Sequence, residues 1–325
     1  MLDQSTPAHV FTSLASLALT KYLFGVFARW KRSKSFEYVG QVSTVYCYPV
    51  KSCGGFQLEA GECSRLGVKV QEVIDRHWMV IQSNGDFLTQ RQEPKMALIK
   101  VNYHGNNLQI KAEGMPVLNV PKNLPLNNNK IIPCRVWGDK TVGVDCGQEA
   151  GTWLSKYLGV DGLRLVYSAP ELEKRDVSLV EKPWGKPALP GDQAAFSDFC
   201  AYLVFNTASL QKLNSKLSSP VTMTNFRPNI VIENNTPFDE DNWQVLKIGE
   251  TIEMRLLDPC TRCKLTTVNS STGELNPSGE PLRTLKTFRC FDKYGTSPIF
   301  GVNGTIDATG PIRVGDPVYA LRKLV

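Results

Sequence analysis

The sequence predicts a β-rich α+β fold that contains a barrel, and three observations carry that reading. Short segments rich in Val, Ile, Tyr, Phe and Trp outnumber the segments with helical periodicity. Turn signals such as Asn84-Gly85, His104-Gly105-Asn106-Asn107 and Gly138-Asp139-Lys140 separate them. No βαβαβ rhythm runs through the chain, and it has neither a Walker-type phosphate loop nor a Rossmann glycine fingerprint, which argues against a doubly wound nucleotide fold. With 325 residues, 42% hydrophobic and 21% charged, there is material for two ordinary domains around real cores.

The first element is an apolar stretch over residues 10–27, interrupted by Lys21 and followed by a dense basic flank at 29–34. About 20 apolar residues span a bilayer. Residues 1–37 are therefore expected to form a signal-anchor helix whose basic flank keeps the C-terminal side in the cytosol. Lys21 at mid-bilayer is the objection. A cleaved targeting peptide and an amphipathic surface helix are the competing readings. No second spanning segment follows.

Residues 42–50 read as a strand running into a loop at Pro49, and 78–81 as a second strand ended by the turn at 83–86. Hairpins are expected from 97–103 with 108–112 and from 134–137 with 141–144. Ala150, Trp153, Leu154, Tyr157 and Leu158 share a helical face, with Gly159 as a stop. Residues 169–191 hold four prolines and many charges without a period; they read as a long connection between residues 38–170 and 171–325. Beyond it, 202–205 is a buried strand and Thr207 caps a helix bearing Leu210, Leu213 and Leu217. Residues 229–233, 252–257, 264–268 and 313–321 read as strands, and 281–290 as a helix.

Nine scattered cysteines on a long chain do not form a secreted disulfide framework and point to a reducing compartment. Three histidines supply zinc-hydrolase or haem chemistry poorly. The net charge of +6 suits acidic partners or anionic cofactors, and equally simple solubility. Without a basic stripe beyond the N-terminus, nucleic acid is not an expected partner.

Four segments carry candidate chemistry. Cys260-Thr261-Arg262-Cys263 reads as two ordinary thiols, as half of a zinc site lacking its other ligands, as a dithiol outside its usual βαβ setting, or as a single thiolate for a soft redox metal. In the last reading Arg262 and Lys264 lower a neighbouring thiol's pKa. Lys51-Ser52 after Pro49 pairs a cation with a hydroxyl, which suits an anionic group such as a phosphate, or is a solvated loop lysine, the commoner case. Arg76 offers a fork-shaped donor, although Asp75 beside it also suits a plain surface pair. Arg227-Pro228-Asn229 displays a guanidinium and an amide rigidly, or is a turn before a strand.

Taken in order, YPVKS (48–52), the Arg76 segment, Phe196-Ser197-Asp198, NFRPN (225–229), CTRC (260–263), LTTV (265–268), SPIFG (297–301) and VGDPV (314–318) resemble the MOSC superfamily, the molybdenum-cofactor sulfurase C-terminal domain. Within it the chain is most similar to the mitochondrial amidoxime-reducing components, from about residue 38 to the end. The resemblance implies a MOSC N-terminal β-barrel-like domain followed by a MOSC β-barrel domain holding a molybdenum cofactor (Mo-molybdopterin). It places the catalytic metal ligand on Cys263. It places cofactor contacts on Lys51, Ser52, Arg76, Ser197, Asp198, Phe199, Cys200, Arg227, Asn229, Thr261, Arg262 and Asn303. This chain departs from close relatives at Phe199 and Cys200, where they carry small hydroxyl residues, and at Asn303, where some carry Tyr. The implied activity is reduction of small N-hydroxylated substrates (amidoximes, hydroxylamines, N-oxides), with electrons from NADH through NADH-cytochrome b5 reductase and cytochrome b5. The implied place is the outer mitochondrial membrane facing the cytosol, with the peroxisomal membrane as the alternative. A non-catalytic cofactor carrier or sulfur-transfer module would share the same core, and a zinc-stabilised interaction module would need both cysteines equally.

Overall fold

The computed structural model describes residues 35–185 and 187–323. The apolar segment and basic flank expected to anchor the chain lie outside the described residues. Among the described residues no helix is long and apolar enough to cross a membrane.

The strands that position the site are β1 (Glu37–Cys47), β2 (Trp78–Ile81), β3 (Tyr202–Asn206), β4 (Ile230–Glu233), β5 (Trp243–Ile248), β6 (Ile252–Thr261), β7 (Ile299–Ala308) and β8 (Pro317–Arg322). Seven of them close a barrel in the order β4-β3-β7-β6-β5-β8-β1, with β1 pairing back onto β4. The barrel pairs are antiparallel except β3 with β4, which run parallel with Val204 opposite Ile230. A parallel neighbour needs a crossover, and the chain supplies one through the helix Thr207–Asn214. The rest of the fold follows hairpin logic, as the turn signals require.

β1 must bend to pair on both sides. It does so through register shifts between Val42 and Thr44 against β4, and between Tyr38 and Gly40 against β8. Such bulges bend a strand and raise its twist. Gly40 is obligatory there: its φ is 141°, and a Cβ would stand 1.9 Å from the carbonyl oxygen of Glu233. The barrel is filled by Val42, Val45, Val204, Ile230, Trp243, Met254, Ile306 and Val318, all buried. Each aliphatic chain of that size contributes about 1.5–3 kcal/mol by leaving water.

The remaining sheets cover the barrel. Residues Ile131–Val136, Asp139–Asp145 and Arg164–Tyr167 build a sheet that ends on β2. Lys100–His104, Asn107–Lys111 and Leu118–Pro121 form a meander. Both expected hairpins occur, although residues 94–98 turn as a short 3-10 helix rather than joining the strand. The helix Gln148–Leu158 ends at Gly159, φ 69°. Gly310–Arg313 pairs with Ala60–Ser64, so the two halves of the chain also interlock outside the barrel.

Further elements differ from expectation, and the strand expected over 313–321 is broken at 314–316 into Gly310–Arg313 and Pro317–Arg322. The cap of the second helix is Asn206, whose side chain accepts from the backbone N–H of Ala208 at 2.9 Å, and Thr207 is the first helical residue. Residues 264–267 are a 3-10 turn, not a strand. The Thr266 and Thr267 hydroxyls donate to the carbonyls of Cys263 and Lys264 at 3.0 and 2.8 Å, local bonds that compete with a ladder. The expected helix over 281–290 is confined to Leu282–Lys286.

Candidate functional site

Six stretches of sequence meet at one end of the barrel. Lys51 and Ser52 follow β1, Arg76 precedes β2, and Ser197 to Cys200 lead into β3. Arg227 and Asn229 lead into β4, Thr261 to Cys263 leave β6, and Asn303 lies within β7. All thirteen residues expected at the cofactor site line a single cavity of about 140 Å³. The pairing of β1 with β4 is what brings the first and fourth stretches together: the Tyr46 N–H donates to the Asn229 carbonyl at 2.8 Å, and the Asn229 N–H to that of Leu203 at 2.8 Å.

The backbone here is strained. Six non-glycine residues have positive φ among the described residues, and four of them, Ser52 (66°), Arg76 (50°), Trp137 (56°) and Arg227 (55°), line this cavity. The left-handed conformation costs an L-residue about 1 kcal/mol, and such strain concentrates where a side chain must be aimed.

The electrostatics are cationic and tightly organised. The Arg76 and Arg227 guanidiniums both lie over the Tyr48 ring, at 4.9 and 4.3 Å. The buried Asp75 carboxylate accepts from Arg76 Nη1 at 2.5 Å and from the Tyr48 N–H at 2.7 Å. Among the described residues Arg227 pairs with no carboxylate. Its Nη1 donates to the Cys53 carbonyl at 2.6 Å, its Nη2 is buried without a partner, and burial, then the nearby Arg76, lowers its pKa to about 10. Lys51 donates to the Phe196 carbonyl and to Asp198 at 2.7 and 2.6 Å. Burial pulls the Lys51 pKa down to about 8 against the attraction of Asp198, so it stays charged at neutral pH. Burial works against the Asp198 charge, but Lys51 and the Trp137 indole N–H bring its pKa down to about 2. The Ser197 hydroxyl is buried and unpartnered. The two orphaned donors, one of them on Arg227 itself, each cost about 1–3 kcal/mol and give this lining unmet capacity for an anion.

The thiols divide. Cys263 is exposed at the end of β6, and Cys260 is partly buried; both are free. At Cys260 burial raises the thiol pKa, and Arg262 pulls it down as expected without outweighing that burial. Among the described residues no three His, Cys, Asp or Glu side chains stand together as a metal cluster. The donor set is thus one accessible thiol plus cations and hydroxyls, which fits the anionic molybdenum cofactor that the resemblance implies.

Several of the thirteen side chains are already engaged. Arg262 is turned inward, donating to the Phe300 carbonyl through Nε and Nη2 at 2.7 and 2.5 Å, and it braces the loop rather than offering a charge. The Asn229 amide accepts from the Leu203 N–H at 3.2 Å and from Arg76 Nη1 at 3.3 Å, tying β3 to Arg76. The Cys200 thiol donates to the Tyr202 carbonyl at 3.2 Å. Asn303 donates to Asp258 at 3.1 Å. The cavity also takes in Thr89, Arg91 and Trp137, with Arg91 stacked 4.2 Å from the Trp137 ring. Their sequence context does not mark them: Trp137 sits at a hairpin turn and Arg91 in an unpatterned loop. Tyr48 belongs to the YPVKS segment, but nothing local to that segment marks it as the ring beneath two guanidiniums.

Residues 39–161 match the MOSC N-terminal beta barrel domain and residues 191–319 match the MOSC domain. The chain is 38% identical over 300 residues to Mitochondrial amidoxime reducing component 2 of Bos taurus, covering 90% of this chain and 87% of that one. It is 37% identical over 332 residues to Mitochondrial amidoxime-reducing component 1 of Homo sapiens, covering 99% and 96%. The chain belongs to the MOSC-domain family of mitochondrial amidoxime-reducing components. In this family member the strand at the start of the MOSC N-terminal match, β1, is a stave of the barrel whose other six strands begin within the MOSC match.

Proposed function

We propose that the protein is a molybdenum-cofactor-dependent reductase of N-hydroxylated compounds, converting amidoximes, hydroxylamines and N-oxides to amidines and amines. The observation that carries this reading is the convergence of Cys263 with Lys51, Ser52, Arg76, Ser197 and Arg227 around one cavity that contains two orphaned donors. The names of the relatives support the substrate class. Each turnover breaks one N–O bond, takes up two electrons and two protons, and releases water with the amidine or amine. When bound, the molybdenum cofactor supplies the two-electron oxygen-transfer chemistry. Cys263 supplies the protein's thiolate ligand. The Arg227 Nη2, the Ser197 hydroxyl, Lys51, Ser52 and Arg76 hold the anionic pterin end, and Thr261 borders the ligand. Asn229 and Arg262 position this machinery from behind. Phe199 and Cys200 offer the cofactor packing and backbone groups, not hydroxyls.

In this reading electrons arrive from NADH through NADH-cytochrome b5 reductase and cytochrome b5, since the sequence carries no haem, flavin or iron–sulfur motif. The net charge of +6 suits an acidic haem protein. The protein works at the outer mitochondrial membrane with this site in the cytosol; the word mitochondrial in the relatives' names and the basic flank at 29–34 support it. The division into residues 38–170 and 171–325 keeps the family's two-domain order.

The test is metal and pterin analysis of purified protein. Wild type and Cys260→Ala should carry about one molybdenum per chain, and Cys263→Ala almost none. Zinc without molybdenum, or equal loss in both variants, would overturn the assignment. Full loading without turnover by reduced cytochrome b5 would leave a cofactor carrier or sulfur-transfer module instead.

A further inference from the structure

The geometry points to Asn303 as a substrate-selecting residue: its amide oxygen is a fixed acceptor favouring substrates that carry an N–H or O–H donor beside the N–O bond. This inference rests on the reductase reading and deepens it by naming which N-oxygenates the site prefers.

The starting point is Asp258, buried on β6. Its Oδ2 accepts from Lys182 Nζ at 2.5 Å and from the Trp184 indole N–H at 3.1 Å, and its Oδ1 accepts from Asn303 Nδ2 at 3.1 Å. A carboxylate accepts on both oxygens, and with Oδ2 taken by Lys182 and Trp184 the free Oδ1 faces Asn303, so the amide turns its NH2 toward Asp258. The amide carbonyl then faces the other way. It accepts no hydrogen bond from the described residues, and Asn303 lines the same cavity as Cys263.

The arrangement is held from the far side of the long connection. Lys182 and Trp184 belong to the stretch between the two family matches, and Lys182 Nζ also lies 3.7 Å over the ring of Phe199, another wall of the cavity. One loop thus clamps both the Asn303 orienter and its neighbour. An acceptor fixed in this way discriminates by asymmetry: a ligand with a donor satisfies it, and a ligand that cannot donate leaves it dry and unpaired. Amidoximes carry an NH2 and an N–OH on one carbon, and hydroxylamines carry N–H and O–H. A tertiary amine N-oxide has only an acceptor oxygen. Asn303 therefore divides the proposed substrates into donors, which it favours, and tertiary N-oxides, which it does not.

The test uses oxidised holoenzyme without reductant, so that binding is read apart from turnover. Benzamidoxime and N,N-dimethylaniline N-oxide are titrated calorimetrically into wild type, Asn303→Leu and Asn303→Thr, each checked for molybdenum content and thermal midpoint. Asn303→Leu should lower the ratio of benzamidoxime affinity to N-oxide affinity about tenfold. Asn303→Thr keeps a hydroxyl that donates to Asp258 and still accepts, so it should retain benzamidoxime within about threefold. In steady state with reduced cytochrome b5 the same shift should appear in the ratio of kcat/KM for the two probes, normalised to molybdenum content. Equal weakening of both probes, or none, in Asn303→Leu or an equal loss in Asn303→Thr would overturn the inference. Wild-type holoenzyme that turns over neither probe would instead overturn the reductase reading beneath it.

Discussion

Arg227 is the side chain that a stability-minded design would remove. It stands beside Arg76 over one tyrosine ring, with one nitrogen unpartnered and its pKa lowered to about 10 by burial and its neighbour. Such unpaired charge is retained where a ligand needs it. Arg227→Met should leave the unfolding free energy of cofactor-free protein within about 1 kcal/mol of wild type, because the lost bond to the Cys53 carbonyl is offset by relieved repulsion. The same substitution should lower the pterin retained through gel filtration about tenfold or more; urea melts and fluorescence of the released pterin measure the two effects. The sequence announced Arg227 through its Pro228 neighbour, but not its companion: nothing in YPVKS says that Tyr48 lies beneath both guanidiniums, since that contact joins residues far apart in the chain.

Among elements, β1 and the turn before β5 depend on particular residues. Gly40→Ala puts a Cβ against the Glu233 carbonyl at a φ that L-residues avoid, so the seam between β1 and β4 must open; a loss of about 3 kcal/mol is expected in urea unfolding. At the turn Asp239–Asn242, Glu240 is fully buried, with Ser209 Oγ donating to its Oε2 at 2.8 Å and its Oε1 unpartnered. Burial raises its pKa to about 8, Asp241 adds to the rise, and Ser209 and Arg289 oppose it. The folded state keeps the proton that the unfolded chain releases near pH 4.5, so the contribution to stability is complete below that pH and is lost as pH rises toward 8. Thermal midpoints should accordingly decline across that window in wild type, and Glu240→Gln should flatten the decline. A wild-type profile as flat as the variant's would contradict the buried proton. Turn signals located the hairpins at 104–107 and 138–140 to within a residue or two, because such turns are decided by local φ preferences. They failed over 264–267, where threonine hydroxyls recapture the backbone in a stretch whose β-branched composition reads as strand.

For the whole molecule, barrel closure is shared between distant parts of the chain. β1 fills the gap between β4 and β8, and Ala60–Ser64 pairs with Gly310–Arg313. A fragment of residues 171–325 would leave two unpaired barrel edges and an open core. It should fail to unfold cooperatively, and calorimetry against residues 35–325 tests this; a cooperative transition from the fragment alone would show that β1 is dispensable. The sequence by itself determined the β-rich class, the helix ended by Gly159, the family, and thirteen of the residues that line the cavity, because strand periodicity, turn chemistry and ordered motifs are local properties of a chain. Only the tertiary structure decided what those side chains do. It turned Arg262 and Asn229 into braces, left Arg227 Nη2 and the Ser197 hydroxyl unmatched, set Asp258 behind Asn303, and made β1 a stave of the barrel. Hydrogen-bond partners, burial and the pKa shifts they cause depend on which distant residues are brought within about 3 Å, and spacing along a sequence does not encode that.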